Sequence, residues 1–273
     1  MPYGVPQGSV LGPKQFVAYT EDIVAIFDRL NIVHHGYADD NQGLAVSSTS
    51  NITQTVSTLE LMIAQVGAWC ASRRLQLNAS KTEIIWFGMP SNLSKLDLND
   101  LALHTDNTTI QPSDVVRDLG VYFDSNLSMR DHISRITRNC FYQLRRLRPI
   151  RQLLGRQVAQ RLVSAFVLSR IDYCNSLLAD LPTSTLAPLQ RCQNAAARLV
   201  LNLKPCDHIT PALIELHWLP VKQRIIYKIC LLVHQSLSNT APSYLQELFV
   251  PLSSIPSRAS LRSSSSNDLA VRF

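Results

Sequence analysis

Ile32-Val33-His34-His35-Gly36-Tyr37-Ala38-Asp39-Asp40-Asn41-Gln42 is the stretch that decides how the first half of the chain folds. Residues 32–38 combine β-branched and aromatic residues and predict a strand. Asp39, Asp40 and Asn41 are turn formers, and residues 42–47 predict a strand that returns. The stretch therefore predicts an antiparallel hairpin with two adjacent carboxylates at its turn.

Asp39 and Asp40 together favour the binding of a cation. Two carboxylates this close repel each other unless a cation or a basic partner neutralises them. Mg²⁺ prefers hard oxygen ligands and is commonly held by one or two carboxylates together with substrate phosphates. For the Asp-Asp pair taken alone, an ordinary solvated turn is the alternative explanation.

The segments beside the hairpin are predicted to be helices and further strands. Pro13 suits the first turn of a helix whose apolar positions continue to Leu30, and residues 52–69 have the three-and-four spacing of an amphipathic helix. Residues 81–88 and 116–124 predict strands, and residues 89–114 predict a surface loop with one short strand.

From about Ser128 the pattern is helical only. Helices are predicted over residues 129–147, 156–178, 185–201 and 221–237. The sequence thus predicts an α+β region over 1–127, a helical region over 128–252, and a serine-rich tail over 253–273 that is expected to be disordered or loosely attached.

The charge of the chain favours a polyanionic partner. The net charge is +6 and the pI about 9.1, while 46% hydrophobic and 17% charged residues are typical of a folded protein. Between Arg130 and Arg161 the only acidic residue is Asp131. On the helix predicted over 129–147, one side is basic and faces away from the apolar side. This basic side carries Tyr142 and the arginines Arg135, Arg138, Arg145 and Arg146, and Arg148 follows directly after the helix. Such a face can neutralise phosphates, although a plain solvated face is the alternative.

Membrane and disulfide classes are not supported by the sequence. There is no uninterrupted apolar run of transmembrane length and no signal-peptide pattern, so we expect an intracellular protein, cytoplasmic or nuclear, without membrane contact. The six cysteines form no CxxC pair and no zinc-ligand spacing, which predicts reduced, packed thiols.

Four motifs in a fixed order carry a family resemblance. They are Gly4-Val5-Pro6-Gln7-Gly8-Ser9-Val10-Leu11-Gly12-Pro13, Tyr37-Ala38-Asp39-Asp40, Leu77-Asn78-Ala79-Ser80-Lys81-Thr82-Glu83 and Leu119-Gly120-Val121-Tyr122-Phe123-Asp124. The ordered set resembles the reverse transcriptases of LINE-type (non-LTR) retrotransposons. Residues 169–175, 190–196, 217–220 and 241–245 are similar to the C-terminal helical region of Jockey-like members. The resemblance covers nearly the whole chain.

The resemblance implies a fold, an activity and partners. The fold would be a partial right-hand polymerase palm, an antiparallel sheet with helices, followed by an all-α thumb-like region. The activity would be RNA-directed DNA polymerisation with Mg²⁺ on an RNA template and a DNA primer, using deoxynucleotides.

The resemblance also implies roles for single residues. Asp39 and Asp40 would bind the catalytic metals, and Lys81 would lie near the leaving pyrophosphate. Contacts to nucleotide and template would come from Gly4, Pro6, Gln7, Gly8, Ser9 and Tyr37. Contacts to the template–primer duplex would come from Arg135, Arg138, Arg145, Arg146 and Arg148.

The sequence also departs from the family pattern. The first catalytic carboxylate of the family precedes the motif that begins at Gly4, so we expect the 273 residues alone to be inactive. Lys14 and Gln15 stand at usually apolar positions, and Asn41 replaces a usual threonine. Three alternatives to a polymerase remain: a non-enzymatic nucleic-acid-binding module, a retroelement remnant without a selected role, and a piece of a longer reading frame.

Overall fold

The computed structural model describes residues 8–97, 101–105, 108–252, 255 and 269–270, with the side chains of Ala79 and Ala270 left out. The chain divides into two compact units at Leu127–Ser128. We refer to the part before this boundary as the N-terminal unit and to the part after it as the C-terminal unit.

The N-terminal unit combines helices with short antiparallel hairpins. Its helices are α1 (Gly12–Thr20), α2 (Val24–Arg29), α3 (Ile52–Ser72) and α4 (Pro90–Leu93). Its strands are β1 (Val33–Tyr37), β2 (Asp40–Leu44), β3 (Leu103–His104), β4 (Thr109–Ile110), β5 (Val115–Asp118) and β6 (Val121–Asp124). They pair as β1–β2, β3–β4 and β5–β6. The predicted α+β character is therefore confirmed.

The core of this unit lies between α2 and α3. Ile26 and Phe27 of α2 pack in one cluster with Val56 and Leu59 of α3, as helical spacing of apolar residues requires. The hairpin β1–β2 approaches the same cluster at Gly43. A Cβ at this position would lie 3.0 Å from the Met62 sulfur and 3.2 Å from Phe27, so glycine allows the close approach.

An arginine also joins the helices of this unit. The Arg73 guanidinium lies 5.6 Å from the Tyr19 ring centre and 5.8 Å from that of Trp69, and it pairs with Asp22. The Tyr19 hydroxyl donates a hydrogen bond to the Arg73 carbonyl at 2.8 Å. These contacts connect α1 and the turn after it to the end of α3.

Two strand predictions were wrong in detail. Residues 81–88 form no strand, and Ile84 makes only an isolated bridge with Pro112, which has no N–H to continue a ladder. Residues 116–124 form a hairpin rather than one strand, because Leu119 (φ 43°) and Gly120 (φ 87°) both take positive φ and turn the chain back. Residues 89–114 were predicted as a surface loop with one short strand. They contain the short helix α4 and two short strands, β3 and β4.

The C-terminal unit is mostly helical. Its helices are α5 (Arg130–Leu147), α6 (Arg156–Val163), α7 (Ser169–Asp172), α8 (Thr183–Leu201), α9 (Ile209–Glu215), α10 (Val221–Leu237) and α11 (Ser243–Gln246). A π turn, Ser164–Leu168, joins α6 to α7, and two short strands, β7 (Val250–Pro251) and β8 (Leu269–Ala270), pair with each other.

Two predictions for this unit need correction. The helix predicted over 156–178 contains the π turn and ends at Asp172, since Tyr173 is extended and Cys174 takes a φ of 51°. The prediction for the serine-rich tail stays a prediction, because Leu269 and Ala270 pair with β7 and most of the tail lies outside the described residues. The helices α9 and α11 were not predicted because each is too short to show a periodic pattern.

A polar network connects the helices of the C-terminal unit. Gln193 is fully buried in α8, and its amide donates to the Leu219 carbonyl at 2.8 Å. The side-chain amide oxygen of Gln190 accepts a hydrogen bond from the backbone N–H of Val221 at 2.8 Å. Arg224 of α10 pairs in bidentate form with Asp172 of α7. Much of the motif similarity noted in this region therefore falls on residues with structural contacts.

All six cysteines are free thiols, but they are not all packed as predicted, since Cys70, Cys140 and Cys192 are buried whereas Cys206 and Cys230 are exposed. Cys140 and Cys192 are fully buried where α5 packs against α8. Among the residues that the structure describes, no helix has the length and apolar character that crossing a membrane requires.

Candidate active site

The carboxylate pair lies at the end of the β1–β2 hairpin. Tyr37 pairs with Asp40, so the connecting turn is the two residues Ala38 and Asp39. Asp40 is therefore the first residue of β2 rather than part of a three-residue turn, which corrects the sequence-based placement. Asp39, Asp40 and Tyr37 are all exposed, and Tyr37 retains 66% of its surface. The carboxylates are thus accessible to a cation or a ligand.

The turn is held in a strained conformation. Ala38 takes a φ of 55°, which residues with a Cβ rarely adopt because the Cβ approaches the following carbonyl oxygen. Such strain persists only where the surrounding structure enforces it, and it is common at ligand-binding and catalytic turns.

His34 connects the hairpin to the core. The centre of its ring lies 4.3 Å from the centre of the Phe27 ring, and its Nε2 is 2.9 Å from the Asn41 side-chain oxygen. The Asn41 amide in turn donates to the Asp39 carbonyl at 3.4 Å. These contacts give His34 and Asn41 a positioning role for the turn.

Asp118 is the functional candidate that the sequence did not reveal. The Gln42 amide donates a hydrogen bond to the Asp118 carboxylate, which joins β2 to the end of β5 across 76 residues of sequence. Burial raises the pKa of the Asp118 carboxyl, and the nearby negative charge of Asp40 raises it further. Asp118 is therefore a third acidic side chain near the turn, close enough to Asp40 to be affected by its charge.

We expect Asp118→Asn to stabilise the N-terminal unit at pH 7. Because the pKa of Asp118 is raised on folding, the folded state holds this proton more tightly than the unfolded chain. Stability is then lost as the pH rises from the usual aspartate value of about 3.9 through the raised value, and asparagine avoids this loss. Thermal unfolding followed against pH should show a higher midpoint for the variant at pH 7.

The difference between Asp118→Asn and the wild type should shrink toward zero as the pH falls below about 4. Asp114→Asn, at an exposed position just before β5, is the matched control. A difference that is the same at every pH would show that the charge of Asp118 is not the cause.

The structure describes only some of the residues predicted in the first motif. Gly4, Pro6 and Gln7 lie outside the described residues, whereas Gly8 takes a φ of 84° and Ser9 accepts the Gly12 N–H at 3.0 Å through its hydroxyl. This bond fixes the entry into α1.

Lys81 is exposed in the 3-10 turn Ala79–Lys81. Among the described residues, no ion pair joins Lys81 to Asp39 or Asp40. The structure therefore does not bring Lys81 into contact with the carboxylate pair.

The basic face of α5 has the predicted amphipathic form. Ile133, Cys140, Leu144 and Leu147 are buried, whereas the predicted basic residues are exposed. The exposed set is Arg135, Arg138, Arg145, Arg146 and Arg148. The Arg146 guanidinium lies 5.7 Å from the ring centre of Tyr142, which is half exposed. This face belongs to the C-terminal unit.

The N-terminal unit carries the decisive similarity. Residues 3–123 match the model of the family described as "Reverse transcriptase (RNA-dependent DNA polymerase)". Over this segment the chain is similar to reverse transcriptase domains. The match includes the Asp39–Asp40 hairpin, Lys81 and the β5–β6 hairpin with Asp118.

A curated relative extends the similarity to a transposon protein. Over 150 residues, covering 53% of this chain, the sequence is 28% identical to "Probable RNA-directed DNA polymerase from transposon BS" of Drosophila melanogaster. The matched region spans 16% of that protein's length. No solved structure matches the chain. Together these findings support a reverse transcriptase segment of a retrotransposon.

The reverse transcriptase family implies divalent metal ions, and the hairpin offers suitable donors. The carboxylates of Asp39 and Asp40 are hard oxygen donors in an exposed position, which fits the way that Mg²⁺ is held by one or two carboxylates, waters and substrate phosphates. Across the described residues, no group of three or more His, Cys, Asp or Glu side chains forms a closed metal cage. Two carboxylates would leave the other positions of a bound Mg²⁺ to water and substrate phosphates.

Proposed function

We propose that this chain contributes metal-binding carboxylates to template-directed nucleotidyl transfer in a LINE-type, Jockey-like retrotransposon. Its substrates would be an RNA template, a DNA primer and deoxynucleotides. The observation that carries the proposal is the position of Asp39 and Asp40, exposed at a strained two-residue turn of a hairpin that is anchored to a core.

Each part of the chain would have a separate task. Asp39 and Asp40 would hold Mg²⁺, which neutralises charge on the reacting phosphates when it is bound. Gln42 and Asp118 would position the hairpin against β5, since their hydrogen bond joins the two. Gly8 would let the backbone approach a nucleotide or template closely, because glycine has no Cβ. The absence of a Cβ also lets Gly8 take its positive φ without strain. By resemblance, Lys81 would neutralise charge on the leaving pyrophosphate.

The C-terminal unit would bind the template–primer duplex. The exposed arginines of α5 can form bidentate contacts with phosphates, and their side of the helix carries a single acidic residue, Asp131. This task is independent of the metal site because the arginines belong to a different compact unit.

Terbium luminescence tests the metal site without requiring activity. Tb³⁺ prefers hard oxygen ligands, as Mg²⁺ does, and it emits when a nearby aromatic ring transfers energy to it. Tyr37 pairs with Asp40 across the hairpin. We therefore expect sensitised emission that Mg²⁺ competes away and that the double variant Asp39→Asn, Asp40→Asn loses.

Two further variants make the terbium result specific. Tyr37→Leu should lower the emission while leaving Mg²⁺ competition against a colorimetric indicator unchanged, because it removes only the sensitiser. Asp28→Asn, at an exposed position on α2, should leave the emission unchanged. Emission that persists in the Asp39→Asn, Asp40→Asn variant would contradict a metal site at this turn.

A second candidate function is a non-enzymatic nucleic-acid-binding module. It is favoured by the location of the basic face in a unit that does not contain Asp39 and Asp40. If the chain binds a duplex but does not bind metal at Asp39 and Asp40, the second function is supported over the first.

A further inference from the structure

An exposed arginine–aromatic stripe runs along the rod formed by α6, the π turn and α7 and ends at Tyr173, the residue directly after α7. Its members are Arg161, Phe166, Arg170 and Tyr173. All four are exposed, and Phe166 and Tyr173 retain 41% and 50% of their surface. On the opposite side of the same rod, Ala159, Val163, Val167 and Ile171 are buried. The stripe is therefore the solvent side of a rod whose other side packs in the core.

The π turn keeps this stripe on one side of the rod. Apart from Leu168, which is also buried, buried positions recur every four residues from 159 to 171, whereas an ideal α-helix repeats every 3.6 residues and would drift by about 40° at each such step. A π turn takes an additional residue into one turn of helix. Ser164–Leu168 forms this turn, so Arg161 before it and Arg170 after it stay on the exposed side of the rod together with Phe166.

The charge along this part of the chain selects the kind of partner. From residue 130 to residue 170 the sequence contains ten arginines, no lysine and one acidic residue. Arginine forms bidentate contacts with phosphates and stacks on aromatic bases, which lysine does not do. A surface that served solubility alone would not require this exclusive use of arginine.

The arginines of the stripe are not neutralised by the acidic residue nearest to them in sequence. Asp172 is bound by Arg224 of α10. In the part of the chain that the structure describes, no ion pair includes Arg161 or Arg170. Their charges are therefore available to a polyanion.

The aromatic rings distinguish between duplex and single strand. A duplex presents phosphates but keeps its base faces stacked, whereas a single strand presents both phosphates and free base faces. Exposed rings that alternate with arginines match the second ligand, since each ring can stack on a base while the arginines contact the backbone.

We propose that the stripe of Arg161, Phe166, Arg170 and Tyr173 binds single-stranded nucleic acid. This inference rests on the proposed function in that nucleic acid is the ligand of the C-terminal unit, and it adds a single-strand site to the duplex-binding face of α5. In that setting the bound strand is an unpaired stretch of the template.

The test compares the affinity of the chain for two probes by fluorescence anisotropy. The first probe is a short uridine oligoribonucleotide, and the second is an RNA–DNA duplex of the same length. We expect the double variant Phe166→Ala, Tyr173→Ala to lose about tenfold or more in affinity for the single strand and to bind the duplex as the wild type does. Its salt dependence should keep the wild-type slope, because no phosphate contact is removed.

Matched variants separate stacking from folding. Tyr227→Ala, Tyr244→Ala removes two exposed tyrosines of α10 and α11 outside the stripe and should leave both affinities unchanged. Phe166→Leu keeps an apolar side chain without the ring, so it should weaken single-strand binding while leaving the thermal unfolding midpoint unchanged.

Three results would overturn the inference. Unchanged single-strand affinity in the Phe166→Ala, Tyr173→Ala variant would overturn it while leaving duplex binding intact, and so would an equal loss for both probes. Failure of the unaltered chain to bind either probe would overturn this inference together with the proposed nucleic-acid binding of the C-terminal unit.

Discussion

Primer extension is expected to fall by about a thousandfold or more when Asp39 and Asp40 are both replaced by asparagine. A metal ion contributes several kcal/mol to stabilising the charge of a phosphoryl-transfer transition state, and about 4 kcal/mol corresponds to a thousandfold in rate. Asparagine keeps the size of the side chain but not the charge that holds the cation. The measurement is incorporation on a primed RNA template with Mg²⁺ in a longer polypeptide that contains this chain and the first catalytic carboxylate, because we expect the 273 residues alone to be inactive.

The control for this experiment is Asp28→Asn, which removes one exposed carboxylate from α2 and should leave incorporation unchanged. Incorporation that survives in the Asp39→Asn, Asp40→Asn variant would refute a catalytic role for the turn. Extension by the unaltered 273-residue chain would show that our expectation of inactivity is wrong, without affecting the role of the two aspartates.

Duplex binding is expected to fall by about a hundredfold or more at 0.1 M salt when four arginines of α5 are replaced by glutamine. The four are Arg135, Arg138, Arg145 and Arg146, all exposed on one side of the helix. Each phosphate contact releases counterions on binding, so four lost contacts should make the slope of log affinity against log salt shallower by about 3.6. Glutamine is nearly as favourable as arginine within a helix, so α5 should remain folded.

A control with the same change in net charge is available. It replaces four exposed arginines elsewhere with glutamine, namely Arg29, Arg74, Arg117 and Arg191. The salt slope of this control should stay close to that of the wild type. If both sets of replacements weaken binding equally, net charge rather than the α5 face determines duplex affinity.

Much of the fold could be predicted from the sequence because its local signals agree with one another. The apolar spacing of α5, α8 and α10 gave their positions to within about two residues, and alternating and turn-forming residues gave the β1–β2 hairpin. In these elements, burial of one face determines the structure, and the face is visible in the residue types. The roles assigned to Asp39, Asp40, Tyr37, Lys81, the residues of the first motif and the arginines of α5 all remain predictions.

The remaining features depend on contacts between distant segments. Leu119-Gly120 lacks the usual Asn-Gly signal of a tight turn, so the β5–β6 hairpin was taken for one strand. The bond from Gln42 to Asp118 joins residues without any shared local pattern. The π turn is likewise set by packing along α6 and α7, since its sequence Ser-Ala-Phe-Val-Leu fits an ordinary α-helix equally well.

The hydrogen bond from the Val221 N–H to Gln190 has a consequence for the order of folding. The first N–H groups of a helix have no partner within that helix, and α10 obtains one of its partners from a side chain on α8. The first turn of α10 therefore gains its full stability only after α8 has docked. An isolated peptide spanning residues 221–237 would fray at its start, and the two helices should be protected from hydrogen exchange as one cooperative unit.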